Sequence, residues 1–404
     1  MKLGSVLSAV LFFITITTVS AQTTIEWWQF WTDAGIKPTI NAMVEEFEKA
    51  NPDIKVKVTD LTWANGHEKL VMAFASGTAP DVVELGSDWL AEFIVNGHIE
   101  DITSHITLDS GEYDGWSMAT CQDKVYARPW ILGTRVLFGN RDILNRAGYP
   151  EDTLPTLLIA LRRMTNKVTS MKTGLYGWGS NTPEKHRLYK KFLPFLWSFG
   201  GQIFSDDGKV CVLSSGKAIE ALRVYKILHD SSGYVADQRG IEDAFLDGKI
   251  AFILSGDWLL KRIKLENRKI NFFTTVMPGL ELPGRSFMGG EFLAINKNSK
   301  NKDAARKFID YLVSPENQVR FCKANYSANP SSKKAQQDEY FTSDKNLRTF
   351  ISQLRMAKNP PVDPNWVYIE DIIEKTVEDV VFNNKPPAAT LLDAQHKITA
   401  LRKK

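Results

Sequence analysis

A short apolar strand is predicted inside the stretch "AFASGTAPDVVELGSDW", residues 73–89. Pro80 prevents the preceding helix from continuing, and the apolar run 82–85 follows it directly. Glu84 lies within that run, and Asp88 comes just after it, where a new helix begins. The stretch therefore predicts a buried strand that delivers carboxylates to its carboxyl end.

The neighbouring segments alternate between strand and helix patterns. A strand at 24–30 precedes a helix that starts near Pro38, and a strand at 54–58 precedes a helix marked by Leu70. The run 82–85 and a third helix complete the series. Strands that alternate with helices predict an α/β fold with a parallel sheet and right-handed crossovers.

Aromatic and acidic side chains follow all three predicted strands. Trp31 and Asp33 follow the first, Trp63 the second and Asp88 the third. Ligands bind outside the carboxyl ends of such strands, so these residues are predicted to contact a ligand. Asp88 could instead cap a helix, and the buried Glu84 could pair with a lysine rather than a ligand.

The second half of the chain supplies further candidates. Trp258 begins a helix after an apolar strand and a Ser-Gly-Asp turn, and Trp178 stands between two glycines. Trp130 follows "YARP", and Gly290 and Glu291 open the strand "GGEFLAI". Gly290 would let the backbone approach a ligand closely. Each tryptophan could instead pack in a core, so the site predictions compete with ordinary packing.

Composition excludes several classes of protein. The formal charge of the 404 residues is only +3, which gives no support for nucleic-acid binding. Three cysteines without a C-x-x-C motif and six scattered histidines predict no metal site and no cofactor.

The amino terminus predicts export. An apolar run follows Lys2, and small residues end at Ala21, so residues 1–21 read as a secretory signal peptide. No cysteine follows the run, so we expect a periplasmic chain without a lipid anchor. The roughly 380 remaining residues exceed one core and predict two lobes.

Six segments together resemble the extracellular solute-binding proteins of ABC importers. The resemblance is strongest to the carbohydrate-binding group that includes maltose-binding and glycerol-phosphate-binding proteins, and it covers nearly all of the chain after residue 21. The segments are "KLVMAFASGTAPDVVEL", "DKVYARPWILGTRVLFGNRDIL", "FLPFLWSFGGQIFSDDGKV", "AFLDGKIAFILSGDW", "FMGGEFLAINKNSKNKDAARKFIDYLVSPENQ" and "ANPSSKKA".

The resemblance implies a periplasmic-binding-protein fold, with two α/β lobes around a ligand cleft and a hinge of several crossings. The first lobe would hold residues 22–130 plus 290–330, and the second 131–289 plus 331–404. Such a protein, expected to be a monomer, captures a sugar or oligosaccharide between its lobes and delivers it to membrane permease subunits.

Two alternatives stay open. A ligand of the glycerol-phosphate type would require cations, for which Arg128, Arg135 and Arg355 are candidates. A secreted glycosidase would use two carboxylates, for which Glu84 and Glu291 are candidates. Because no hydrolase or nucleotide-binding motif appears in the sequence, we expect a binding protein and not an enzyme.

Overall fold

The computed structural model describes residues 22–106, 111–280, 284–327 and 329–403, so the predicted signal peptide lies outside the described residues. The strands are β1 Thr23–Gln29, β2 Ile54–Asp60, β3 Val82–Gly86, β4 Thr120–Cys121, β5 Lys124–Val125, β6 Ala127–Thr134, β7 Val136–Asn140, β8 Tyr176–Asn181, β9 Gly233–Ala236, β10 Ile250–Ser255, β11 Phe272–Thr275 and β12 Met288–Ile295.

The α-helices are α1 Lys37–Ala50, α2 Gly66–Ser76, α3 Leu90–Val95, α4 Trp116–Ala119, α5 Arg141–Arg146, α6 Leu158–Ser170, α7 Leu188–Ser198, α8 Gly216–Ser232, α9 Gln238–Leu246, α10 Trp258–Leu265, α11 Lys302–Leu312, α12 Pro315–Asn325, α13 Glu339–Ser343, α14 Lys345–Leu354, α15 Trp366–Val381 and α16 Pro387–Leu401. Among the described residues, no helix combines the length and apolar character needed to cross a bilayer.

The first sheet has five strands in the order β2-β1-β3-β12-β6. β1 pairs in parallel with β2 and β3, as the alternation of strands and helices predicted. Gly77 ends α2 with a φ of 72°, a left-handed conformation that favours glycine, and β3 follows. β12 runs antiparallel to both β3 and β6, so the complete sheet is mixed.

The second sheet has the order β11-β7-β10-β8-β9. β10 is parallel to β8, and β7 is antiparallel to β10 and β11. Apolar side chains cover both of its faces: Leu137 belongs to one core, and the adjacent Val136 and Phe138 belong to another. The second sheet is therefore an internal layer between helices, and the predicted α/β class is confirmed.

The carboxyl ends of the strands in the two sheets face each other. β6 ends at Thr134, at the same edge as the carboxyl ends of β1 to β3, because β12 is antiparallel to both β3 and β6. β7 begins at Val136, which pairs with Ser255 at the carboxyl end of β10. Arg135 alone separates the two strands, so the two edges meet there.

The chain changes sheets slightly later than the sequence suggested. The predicted boundary at residue 130 falls inside β6, which stays in the first sheet as far as Thr134 by pairing with β12. The return crossing lies between Thr275 and Met288, the ends of β11 and β12. Two crossings between the sheets are therefore visible in this part of the chain.

Substitution of Trp130 tests how much the first core contributes to stability. Trp130 is fully buried, and its ring centroid lies 6.0 Å from Trp27 and 4.9 Å from Phe321. Replacing a large buried ring with alanine leaves a cavity, so Trp130→Ala should lower the free energy of unfolding by about 3–5 kcal/mol. Urea unfolding followed by circular dichroism measures this change.

The matched control is Trp63→Ala, because Trp63 is 47% exposed. Its removal should change the free energy of unfolding by less than about 1 kcal/mol. Equal losses in the two variants would contradict the assignment of Trp130 to the core.

Candidate functional site

Five side chains from both sheets meet where the carboxyl edges face each other, and we call them the junction. Its members interact through a cation–π contact, an ion pair and the effect of neighbouring charges on Glu291. They are Asp88 after β3, Arg135 between β6 and β7, Lys190 in α7, Trp258 at the start of α10 and Glu291 in β12.

Asp88 pairs with a lysine from the other sheet. The Lys190 Nζ donates to Asp88 Oδ2 at 2.7 Å, and both side chains are less than one-fifth exposed. The alternative of a helix cap is not observed, because the N-cap residue of α3 is Trp89 and accepts no capping bond. Asp88 therefore joins elements of the two sheets.

Arg135 is held by aromatic rings. Its guanidinium carbon lies 4.6 Å from the Trp258 ring centroid and 5.4 Å from that of Phe287. Within the described residues its guanidinium forms no hydrogen bond or ion pair. The guanidinium therefore retains N–H donors for a hydroxyl or anionic group of a ligand.

Accessible indole rings lie on both edges. Trp63 stacks on Phe30, with ring centroids 4.2 Å apart and planes at 21°, and remains 47% exposed. Trp258 is half-buried on the opposing edge. The two predicted tryptophans thus offer ring surface from different sheets.

Trp31 and Asp33 lie beside a second contact between the two sheets. Trp31 is half-buried, with its ring 4.8 Å from Phe321 in the first core. Asp33 is exposed and accepts a hydrogen bond from Lys261 Nζ at 3.0 Å, while the same amine donates to Asn325 at 2.8 Å. Lys261 in α10 therefore contacts two parts of the first sheet's layer.

Glu84 lies beneath this surface. It is fully buried, and its Oε2 accepts a hydrogen bond from the Phe30 backbone N–H at 2.9 Å. The lysine pair considered for it is not observed in the described structure. Burial, and then the charge of Glu291, raise the pKa of the Glu84 carboxyl well above its usual range.

Glu291 lies next to Glu84 on the adjacent strand, where it pairs with Gly86 while Leu293 pairs with Glu84. Burial, and then the charge of Asp257, raise the pKa of Glu291 to about 8, although Lys190 opposes the shift. The carboxyl is therefore mostly protonated at pH 7 and can donate a hydrogen bond.

Gly290 has a structural explanation. A Cβ atom at this position would lie 2.6 Å from the carbonyl oxygen of Ile131 in β6. Its own backbone N–H donates to Ser87 Oγ at 3.2 Å, and its carbonyl accepts from the Ser87 N–H at 2.8 Å. Close strand packing therefore requires a glycine at this position.

Trp130 and Trp178 are placed in the cores and not at the junction. Trp130 is in the first core, and Trp178 is in the second core with its ring 6.1 Å from Phe195. The glycine before Trp178 reflects close packing, since a Cβ at Gly177 would lie 2.1 Å from the carbonyl oxygen of Thr165. The positions of both rings match the alternative of ordinary core packing.

A small cleft lies beside Asp88. One wall comes from the end of β3 and the helices that follow it, and the other from the proline-rich loop and the start of α15. Its lining residues are Ser87, Asp88, Ala91, Met118, Pro360, Pro361, Val362 and Trp366.

Sequence reasoning missed Lys190 and its neighbour Lys191. Lys191 is buried and donates its Nζ to the Leu254 carbonyl; burial, and then the charge of Arg135, lower its pKa to about 7. Two lysines inside the apolar helix "LYKKFLPFLW" were the available indication, because buried lysines need a partner.

The three candidate arginines lie in different parts of the structure. Arg128 lies 3.5 Å from Asp310 and over the Tyr113 ring, within the layer of the first core. Arg355 is exposed after α14. Arg135 is the one at the junction. Among the described residues, no cluster of three or more histidine, cysteine or acidic side chains is suited to a metal ion.

The family of the chain follows from comparison with known proteins. The sequence model of the bacterial extracellular solute-binding protein family matches residues 33–319, more than half of the chain. The chain belongs to this family. The resemblance noted in the sequence is thereby confirmed, and this solute-binding protein works outside the cytoplasm as its family does.

Relatives share the family and its architecture. This solute-binding protein is 25% identical over 383 residues to the maltodextrin-binding protein of Bacillus subtilis, covering 90% of this chain and 87% of the relative. The sugar-binding protein MalE of Xanthomonas citri has a TM-score of 0.84 and 25% identity, covering 94% of this chain and 98% of that one.

A third comparison supports the fold alone. The GacH receptor of Streptomyces glaucescens, whose structures include complexes with acarbose, has a TM-score of 0.81 at 22% identity, covering 95% of this chain and 99% of that one. The two-sheet architecture of this solute-binding protein is therefore that of the family.

Glu291 gives a pH test. The unfolded chain releases the proton of Glu291 above about pH 4.5, whereas the native state keeps it until about pH 8. The free energy of unfolding that this group contributes is therefore lost as pH rises through this range to about 8. The melting temperature of Glu291→Gln minus that of the parent protein should therefore increase as pH rises from 5 to 8.5. Calorimetric scans across that range measure it, and a constant difference between the two proteins would refute the raised pKa.

Proposed function

We propose that this protein captures a sugar or oligosaccharide between two lobes and delivers it to the membrane permease of an ABC importer. The observation that carries this proposal is the meeting of two carboxyl strand edges, with the accessible rings of Trp63 and Trp258 on opposite sides. Sugar C–H faces pack on indole rings, and carboxylates accept hydrogen bonds from sugar hydroxyls. The names of the family relatives agree with this ligand class.

We infer that the lobes follow the two sheets, close to the division of 22–130 plus 290–330 from 131–289 plus 331–404. The two sheet crossings support a hinge with several strands. The Asp88–Lys190 and Asp33–Lys261 pairs join the lobes. A ligand that contacts both lobes favours the closed state, because part of its binding energy exists only there; closure of periplasmic binding proteins is an established example of this motion.

The proposed setting is the periplasm, after export by a signal peptide and without a lipid anchor. We propose that the chain acts as a monomer, binds no nucleic acid and uses no cofactor. Its partners are a small carbohydrate and the permease subunits.

A polyol phosphate is the second candidate ligand. The position of Arg135 favours it, because the guanidinium lies at the junction without a protein hydrogen bond or ion pair in the described residues. A phosphate could accept two parallel N–H bonds from it.

A ligand panel separates the candidates. Thermal shift with maltose, maltotetraose, a galactooligosaccharide, diacetylchitobiose and glycerol 3-phosphate should show one sugar that raises the melting temperature. A ligand at a hundredfold excess over its Kd stabilises a protein by about 2.7 kcal/mol. Stabilisation by glycerol 3-phosphate alone, lost in Arg135→Gln, would favour the second candidate.

The sugar that gives the largest shift is then titrated against Trp63→Ala. Loss of ring stacking should weaken binding by about 1–3 kcal/mol, by analogy with base stacking on aromatic side chains. Tyr176→Ala is the matched control, because Tyr176 is an exposed ring at the amino end of β8, away from the junction. Equal affinity losses in the two variants would argue against a site at the carboxyl edges.

The protein is proposed to bind without turnover. Glu84 is buried and bonded to a backbone N–H, so it is poorly placed to act with Glu291 on a glycosidic bond. Overnight incubation with maltotetraose, followed by mass spectrometry, should return the intact sugar. Hydrolysis that disappears in Glu291→Gln would establish the glycosidase alternative.

A further inference from the structure

A buried carboxylate holds the indole of Trp258. Glu242 in α9 is 2% exposed, and its Oε1 accepts a hydrogen bond from Trp258 Nε1 at 2.6 Å. The same oxygen accepts from Ser255 Oγ at 2.8 Å and from the Gln238 amide. Oε2 accepts from Arg262 Nη1 at 2.9 Å. Four donors therefore converge on this one carboxylate.

The carboxylate connects the three elements that form this part of the edge. Ser255 ends β10, Trp258 begins α10, and Glu242 belongs to α9. Arg262, one turn further along α10, neutralises the charge of Glu242 and also pairs with Asp243. A charged hydrogen bond in such a buried position is stronger than an ordinary one, so it can fix the ring rather than merely contact it.

The faces of the indole are also constrained. A Cβ atom at Gly256 would lie 2.0 Å from a ring carbon of Trp258, so the ring packs directly against the backbone there. The Arg135 guanidinium lies 4.6 Å from the ring centroid. The edge of the ring and part of its surface are thus held by neighbouring groups, while the half-buried side chain keeps the rest of its surface accessible.

We propose that Glu242 is a positioning residue that fixes the Trp258 ring for stacking against the ligand. This inference rests on the proposed function, in which Trp258 supplies ring surface for a sugar. A ring already held in the binding orientation loses less conformational freedom when the ligand arrives, which increases affinity without a new ligand contact. Glu242 itself contacts no ligand in this scheme.

The first experiment needs no ligand. The protein is labelled with 5-fluorotryptophan, and Trp258→Phe assigns the fluorine resonance of Trp258. Glu242→Gln keeps the side-chain shape but replaces one oxygen with an amide NH₂ that faces other donors. This variant should shift or broaden the Trp258 resonance.

Asp243→Asn is the matched control, because Asp243 also binds Arg262 but has no contact with the indole. It should leave the Trp258 resonance unchanged. If Glu242→Gln fails to fold, Glu242→Asp, which keeps the charge but withdraws the carboxylate from the indole N–H, should produce the same spectral change together with weaker binding.

The second experiment measures maltotetraose binding by calorimetry. Glu242→Gln should weaken it about tenfold, the loss expected from one charged hydrogen bond. In the Trp258→Phe background, which lacks the indole N–H, the same substitution should have little further effect, because Glu242 then has no indole N–H to bind.

The outcomes separate the inference from the proposed function. An unchanged Trp258 resonance in Glu242→Gln, or an equal affinity loss with and without the indole, overturns the positioning role. If maltotetraose does not bind the parent protein, or binds Trp258→Ala equally well, the assignment of the ligand or of its stacking ring fails. The fluorine spectra still decide whether Glu242 fixes the ring.

Discussion

The meeting of the two strand edges depends on the short connection at Arg135. β6 and β7 form one extended segment that changes sheets across a single residue, whose span is only about 3.3–3.6 Å. The register of β12 with β6, and of β10 with β7, then fixes which strand ends face each other. Contacts from the two sheets can meet at the junction because this short connection keeps the two edges close together.

The junction concentrates charge in a poorly solvated place. Asp88 and Lys190 compensate each other, whereas Glu291 at the junction and Glu84 beneath it have raised pKa values because burial disfavours their charged forms. A region built in this way can both accept and donate hydrogen bonds near neutral pH. That mixture suits a ligand with many hydroxyl groups, each of which donates and accepts.

The tryptophans show how far sequence patterns lead. Their positions after predicted strands correctly drew attention to the strand ends, and Trp63 and Trp258 do lie on the two edges. The same reasoning selected Trp130 and Trp178, which the structure places in the cores. Their neighbouring prolines and glycines resembled loop residues, but the glycine at 177 is required by the close approach of α6.

The polar partners of the site residues were harder to predict from the sequence than the positions of the tryptophans. Lys190 lies 102 positions from Asp88, and Glu242 lies in a helix that precedes β10 and gives no local indication of its role. Neither contact follows from the spacing of residues along one element. Glu84 was recognised as unusual, but its hydrogen bond with the Phe30 backbone N–H did not follow from the sequence pattern.

The sequence by itself determined the order of strands and helices, the parallel start of the first sheet and the family, since these follow from local periodicity, turn residues and segments in a fixed order. Only the tertiary structure decided which rings are accessible, which carboxylates are buried and which charges pair across the sheets. The physical reason is that burial and pairing depend on segments far apart in the chain, brought together here by strand register and by the connection at Arg135.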